Sequence, residues 1–181
     1  MRLISSNEQT LQNKESEQQF EARVREHELL LHKVCQMYAY TDVDRQDLFQ
    51  DMVVQLWQAY PNFKGNAKFS TWLYRVAINT AITGRRKQRD FVSYHEPASL
   101  PPSTSEEPED QLKEERLQQL NAALVHLDEI EKAIVMLYLE ERSYEEMEEV
   151  LGIKEGTLRV KMSRIKEKLR QLTNTASYGT R

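Results

Sequence analysis

The chain has 181 residues, a hydrophobic content of 39% and a formal net charge of −4, enough for one ordinary core or two small ones. Five glycines give little support to a Rossmann-type fold or a glycine-rich sandwich, and Cys35, the single cysteine, excludes an intramolecular disulfide and argues against a cysteine zinc site. No apolar run reaches the roughly eighteen residues of a membrane span, and the N-terminus lacks a signal-peptide apolar core, so the expected location is cytoplasmic.

Residues 1–16 are polar and carry no clear period, which reads as an irregular N-terminal arm. Phe20, Val24, Leu30, Leu31, Val34 and Met37 then sustain a helical stripe that is interrupted near Glu26. Cys35 lies among these apolar positions and is expected to be a buried, inert thiol. A further helix is predicted from about Arg45 to Tyr60, with Leu48, Met52, Val53, Leu56 and Tyr60 on its apolar side and Pro61 at its end. A short basic loop around Gly65 leads to another stripe formed by Phe69, Trp72, Leu73, Val76 and Ala77. Ser70 or Thr71 is available as its cap, and Gly84 is a candidate bend ahead of Arg85, Arg86 and Lys87.

Four of the five prolines fall between Pro97 and Pro108, and residues 96–111 read as a flexible linker. Beyond it, Leu117, Leu120, Leu124 and Leu127 form one helical stripe, and Ile130, Ile134, Leu137 and Tyr138 another. Ser143 stands three residues before Glu146, the spacing of a capping box, and Gly152 suits the close of that short helix. A last helix from about Glu155 carries Leu158, Met162, Ile165, Leu169 and Leu172 on one side. The expected organisation is therefore all-α. Two small helical domains, 17–95 and 112–174, follow the arm and flank the linker; the second contains a helix-turn-helix, and residues 175–181 form a tail.

The charge is segregated. No acidic residue occurs from Pro61 through Arg89, which holds Lys64, Lys68, Arg75, Arg85, Arg86, Lys87 and Arg89, and the stretch from Lys154 to Arg170 has only Glu155 and Glu167 against its basic residues. Such stretches attract phosphate locally even on an acidic protein, although each alone is also compatible with an ordinary solvated helix face.

In a helix-turn-helix the second helix enters the major groove. With Leu158, Met162, Ile165 and Leu169 facing the core, Arg159, Val160, Ser163 and Arg164 turn outward. Arginine can fork onto guanine or grip phosphate, and valine can meet a thymine methyl. Lys154, Lys161, Lys166 and Lys168, the last far along the helix, are expected at phosphates.

In the first half, Asp42, Asp44, Asp47 and Asp51, with Gln50 and Gln55, suggest an acidic docking face. The loop from Asp42 to Asp47 lacks the glycine and closing glutamate of a calcium loop, so no metal is expected. The aromatic and basic mixture of Phe63, Lys64, Asn66, Lys68, Phe69, Trp72, Tyr74 and Arg75 suits unpaired bases, though a tryptophan at the helical core position of Trp72 is more often packing than a stacking platform. The four histidines show no paired metal spacing. The glutamates from Glu140 to Glu149 read as an acidic helix face rather than an acid–base pair, and no phosphate-binding loop or nucleophile elbow occurs. No enzyme activity and no cofactor are expected.

Three stretches taken together resemble the extracytoplasmic-function group of the sigma-70 family. Asp47-Leu-Phe-Gln-Asp-Met-Val-Val-Gln-Leu-Trp57 looks like sigma region 2.2, and Phe69-Ser-Thr-Trp-Leu-Tyr-Arg-Val-Ala-Ile-Asn79 with Arg85-Arg-Lys87 resembles regions 2.3 and 2.4. Ser143–Ile153 and Gly156–Arg164 are similar to region 4.2. The resemblance spans about residues 20–172 and implies a non-enzymatic subunit that binds core RNA polymerase and promoter DNA, often held in check by an anti-sigma factor that can be membrane-bound. It implies core-polymerase contacts at Asp47, Gln50, Asp51 and Gln55. It places −10 element contacts at Lys64, Asn66, Lys68, Phe69, Trp72, Arg75, Arg85 and Arg86, with a flipped base received by the loop Gly65–Phe69. Contacts to the −35 element fall on Arg159, Val160, Lys161, Ser163, Arg164 and Lys166. Val160 stands where many members have serine, and Lys154 where a small or capping residue is common. A helix-turn-helix regulator with a helical ligand or dimer domain would explain residues 112–172 but leave 62–89 without a role. A structural helical adaptor would leave both basic stretches unused.

Overall fold

The computed structural model describes the backbone of residues 6–89, 119–120 and 122–178 and the side chains of 15–84, 119–120 and 122–173. The expected linker lies outside the described residues. The described backbone contains helices and one 3-10 turn and no strand.

Helix α1 (Ser6–Glu26) runs into α2 (Glu28–Tyr38) through a one-residue break at His27. The irregular arm expected over residues 1–16 is thus corrected from Ser6 onward. The segment contains no glycine or proline and is rich in glutamate and glutamine, so backbone propensity carries a helix that the apolar period did not announce. Helix α3 (Asp42–Ala59) starts at Thr41, whose side chain accepts from the Asp44 N–H at 3.0 Å. Arg45 of α3 donates back to the carbonyls of Ala39 (3.2 Å) and Tyr40 (3.3 Å), serving groups just past the end of α2. A 3-10 turn, Tyr60–Asn62, and a loop with Gly65 at φ +74° lead to α4 (Phe69–Arg89). Helix α4 begins before Ser70 and Thr71, so neither caps it, and it runs through Gly84 without a break.

In the second cluster residues 119–120 and 122–125 are helical and precede α5 (Glu129–Leu139). Asp128 and Glu131 form a reciprocal capping box at its start. Its end is a Schellman turn: the Glu141 N–H donates to the Tyr138 carbonyl and the Arg142 N–H to the Leu137 carbonyl, both at 3.0 Å. Glu141 holds φ 55° there, the left-handed place that glycine usually takes. Helix α6 (Tyr144–Leu151) carries the expected box between Ser143 and Glu146 and ends on Gly152 at φ 68°. Helix α7 (Glu155–Tyr178) follows.

Leu31, Val34, Met52, Leu56, Leu73, Tyr74 and Ile78 are almost fully buried in the first cluster, as are Ile134, Leu137, Met147, Leu158 and Ile165 in the second. Burying one such side chain contributes about 1.5–3 kcal/mol. Cys35 is buried among them, and burial pushes its thiol up to about 11, in keeping with an inert residue.

The two sets of core residues form one contiguous cluster, because α4 packs on α6 and α2 on α5. Polar contacts reinforce this seam. The Tyr38 hydroxyl donates to the Glu129 carbonyl at 2.6 Å, Lys132 Nζ to the Tyr40 hydroxyl at 3.1 Å, and Lys33 Nζ to Glu140 Oε1 at 2.6 Å. The Arg142 guanidinium lies 5.3 Å over the ring of Tyr74.

Candidate nucleic-acid interface

Helix α7 presents two different sides because its apolar residues recur at helical spacing. Leu158, Met162 and Ile165 are buried, while Arg159, Val160, Ser163, Arg164 and Lys166 are exposed; Lys161 is half-buried at the edge. Val160, at 52% exposure, is a large apolar side chain held in solvent amid basic ones. Gly152 turns the chain between α6 and α7. The Glu148 carboxylate accepts from the Glu155 N–H at 2.8 Å and so fixes the start of α7.

Two tyrosines hold basic residues of this surface. The Arg159 guanidinium lies 4.5 Å over the ring of Tyr144, and its Nε–H donates to Glu155 Oε1 at 3.0 Å. Lys166 Nζ donates to the Tyr138 hydroxyl at 2.9 Å, a hydrogen bond that raises its pKa. Lys168 is tied to Glu131 at 2.8 Å, which turns it away from the outward surface. Tyr138, expected on an apolar stripe, is instead 42% exposed and holds Lys166, while Tyr144, Glu148 and Glu155 had no individual role in the sequence.

The second surface surrounds the loop before α4. Asn62, Phe63, Lys64, Asn66, Ala67, Thr71, Trp72 and Arg75 line a partly open cavity of about 170 Å³. Its aromatic wall is a cluster: Phe63 lies 5.0 Å from Trp72 and 5.4 Å from Phe69, and Phe69 lies 5.2 Å from Trp72, centroid to centroid. Trp72 therefore both packs and lines the cavity. Phe69 supports the wall from behind, with Arg23 of α1 5.3 Å over its ring and His27 stacked edge-on at 5.3 Å. Arg23, His27, Asn62 and the buried Thr71 are participants that no local sequence signal marked.

Among the residues expected at the −10 element, Lys64, Asn66, Trp72 and Arg75 come together here. Lys68 does not: its ammonium pairs with Glu146 of α6 at 3.2 Å. The Arg75 guanidinium also reaches α6, donating to the Glu149 carbonyl. Arg85 and Arg86 lie in the helical backbone of α4, and their side chains lie outside the described ones. The Glu146 carboxyl sits below its ordinary pKa, chiefly through its bond from the Ser143 N–H and then through Lys68.

On α3, Asp47, Gln50, Asp51 and Gln55 are all exposed at helical spacing, with Val54 at 51% and Trp57 at 40% exposure beside them. Among the described residues no group of histidine, cysteine, aspartate and glutamate side chains could hold a metal ion, and no helix is long and apolar enough to cross a membrane.

Residues 23–91 match the family model Sigma-70 region 2, and residues 117–169 match Sigma-70, region 4. The ECF RNA polymerase sigma-E factors of Haemophilus influenzae and of Escherichia coli K12 are 27% and 28% identical over 135 residues, spanning 68% of this chain and 71% of theirs. The sigma factor RpoE of Bartonella quintana, solved in complex with the anti-sigma factor NepR, superposes with a TM-score of 0.69 at 19% identity, covering 86% of this chain and 97% of that one. CnrH, solved in complex with the cytosolic domain of CnrY, superposes with a TM-score of 0.62 at 21% identity, over 88% and 90% of the two chains.

Proposed function

The chain belongs to the extracytoplasmic-function group of the sigma-70 family, and from that premise we propose that it reads a promoter in two parts, the −35 element as duplex and the −10 element as an opened strand. A sigma factor is a non-catalytic subunit that binds core RNA polymerase and recognises promoters. The observation that carries the finer reading is the pairing of unlike surfaces. The first is a capped, glycine-turned helix pair exposing Arg159, Val160, Ser163 and Arg164 on one side, a rigid unit that suits an intact major groove. The second is a partly open cavity with a basic rim and aromatic wall, which suits a base already out of its stack. In this reading the exposed α3 face from Asp47 to Gln55 docks on a basic helical surface of the polymerase, and Val54 and Trp57 supply the apolar centre of that contact. The two solved sigma factors named above were captured with anti-sigma partners, which supports an anti-sigma factor for this chain as well. The site of action is then the cytoplasm, where polymerase works.

Run-off transcription from sheared genomic DNA of the source organism, with core polymerase alone and with core plus this protein, tests the reading. Discrete new transcripts that share upstream elements are expected only when the protein is present. An unchanged transcript set with a folded, core-bound protein would contradict it.

A further inference from the structure

Glu155 is the single acidic residue between Lys154 and Lys166, a stretch whose other charged side chains, Lys154, Arg159, Lys161, Arg164 and Lys166, are all basic. Its place is fixed from two sides. Its backbone N–H donates to the Glu148 carboxylate at 2.8 Å, which ties the first turn of α7 to α6. One turn on, the Nε–H and Nη2–H of Arg159 both donate to its Oε1, so the second carboxylate oxygen, Oε2, is left to accept from elsewhere. The two side chains are well exposed, Arg159 at 61% and Glu155 at 44%. The Arg159 guanidinium also lies 4.5 Å over the Tyr144 ring, but that contact uses the face of the group and not its N–H edges. A lone carboxylate among cations is an ordinary counter-ion on most helices. Here it stands in the first turn of the second helix of a helix-turn-helix, the part of such a motif that meets base edges.

We propose that Glu155 reads a base itself, selecting a cytosine in the base pair next to the guanine taken by Arg159. The inference rests on the −35 reading above and adds a residue and a base to it. The major-groove edges decide the choice. Guanine presents N7 and O6, adenine presents N7 beside its amino group, and thymine presents O4 beside its methyl; each carries an acceptor that a carboxylate oxygen repels. Cytosine presents a donor, its N4 amino group, and no acceptor. Arginine has the opposite need, because it only donates and the groove edge of guanine only accepts. The Cα atoms of Glu155 and Arg159 stand one helical turn apart, about 6 Å, and their polar ends meet, which suits neighbouring base pairs rather than distant ones. On DNA the ion pair is exchanged rather than lost: the fork of Arg159 passes to guanine, and the Glu155 carboxylate passes to the N4 amino group. Without that cytosine the carboxylate is left near phosphates with no partner. Glu155 therefore acts against wrong sequences as well as for the right one.

The test uses the full chain with core polymerase and a duplex promoter pool randomised over the −35 segment, the bound fraction being sequenced. The wild type should select a guanine at the position that Arg159→Ala relaxes. Beside it, on either strand, it should select a cytosine by about fivefold or more, the low end for a specific base contact. Glu155→Ala should abolish the cytosine preference, keep the guanine preference, and raise the affinity for the pool as a whole, because a negative charge leaves the DNA surface. Glu155→Gln should move the preference at that position from cytosine to adenine, since an amide both donates and accepts as the N6 and N7 edge requires. A counter-ion that merely holds Arg159 gives no such change of base. If the position beside the guanine shows no cytosine preference, or if both Glu155 variants leave that preference unaltered while Arg159→Ala removes the guanine, the −35 reading stands and the role of Glu155 is overturned. If Arg159→Ala changes no base preference at any position, the −35 reading itself fails and this inference with it.

Discussion

Arg159 leaves α7 with its guanidinium over Tyr144 and its Nε–H on Glu155, so an exposed, long side chain is held near one orientation before DNA arrives. Less rotamer freedom is then lost on binding, although Nε and Nη2 both rest on Glu155, so a guanine takes the fork only by displacing that ion pair. Arg159→Ala is expected to weaken promoter binding by about 1–3 kcal/mol and to relax preference at one −35 position. Competition among single-base −35 variants measures this, and an equal loss on every base would make Arg159 a phosphate contact instead. Elsewhere, Glu141 occupies a left-handed turn position at φ 55° that disfavours a side chain. Glu141→Gly should raise the unfolding free energy by about 1 kcal/mol, read from urea melts. The two residues differ in how they show in sequence. Arg159 follows from helical spacing once its buried neighbours are placed, and Ser143 from the position of Glu146. A glutamate in a glycine's place leaves no trace.

Helix α6 combines a capping role with a charge role in Glu146. Its carboxyl accepts from the Ser143 N–H and pairs with Lys68, and its pKa is lowered in the folded chain. A carboxyl lowered on folding contributes stability that is complete above its unfolded value and is lost as pH falls through the lowered one. Glu146→Gln preserves the capping geometry but not the charge. The wild type should therefore be more stable than this variant at neutral pH, and the gap should close in acid; a gap independent of pH would mean that the charge is idle. On α3, Asp51→Arg should weaken binding to core polymerase, and unchanged affinity in a folded variant would remove that face from the interface. Helices α2, α3, α6 and α7 were legible through their apolar period, and in α6 the capping box of Ser143 and Glu146 agreed with it. The first part of α1 was not, since its polar residues form a helix by propensity with no apolar stripe to reveal it. The uninterrupted passage of α4 through Gly84 was equally hidden, because a glycine inside a helix is tolerated at a cost of about 1 kcal/mol and signals a break only statistically.

At the scale of the whole molecule, the proline-rich stretch separates two helical clusters along the chain, yet their described residues share one continuous core. Periodicity reports which side of a helix is buried and is silent on which distant helix buries it. Lys68 and Arg75 therefore read as free DNA ligands in sequence and prove to be engaged by α6. The cavity was only half legible for the same reason. Lys64, Asn66 and Trp72 advertise it through composition, whereas Arg23 and His27 reach its aromatic wall from α1 and the α1–α2 break. The two surfaces divide the reading of the promoter in the function proposed. The most direct measurement is a pair of binding curves for each of two variants, Arg159→Ala and Asn66→Ala, with core polymerase present. One curve uses a fully duplex promoter and the other the same promoter with its −10 segment already opened. Arg159→Ala should weaken both and change only −35 preference. Asn66→Ala should keep −35 preference intact, lower open-complex formation and alter selectivity within the −10 segment. If Arg159→Ala altered only −10 selectivity, or Asn66→Ala only −35 selectivity, the two-part reading of the promoter would be wrong.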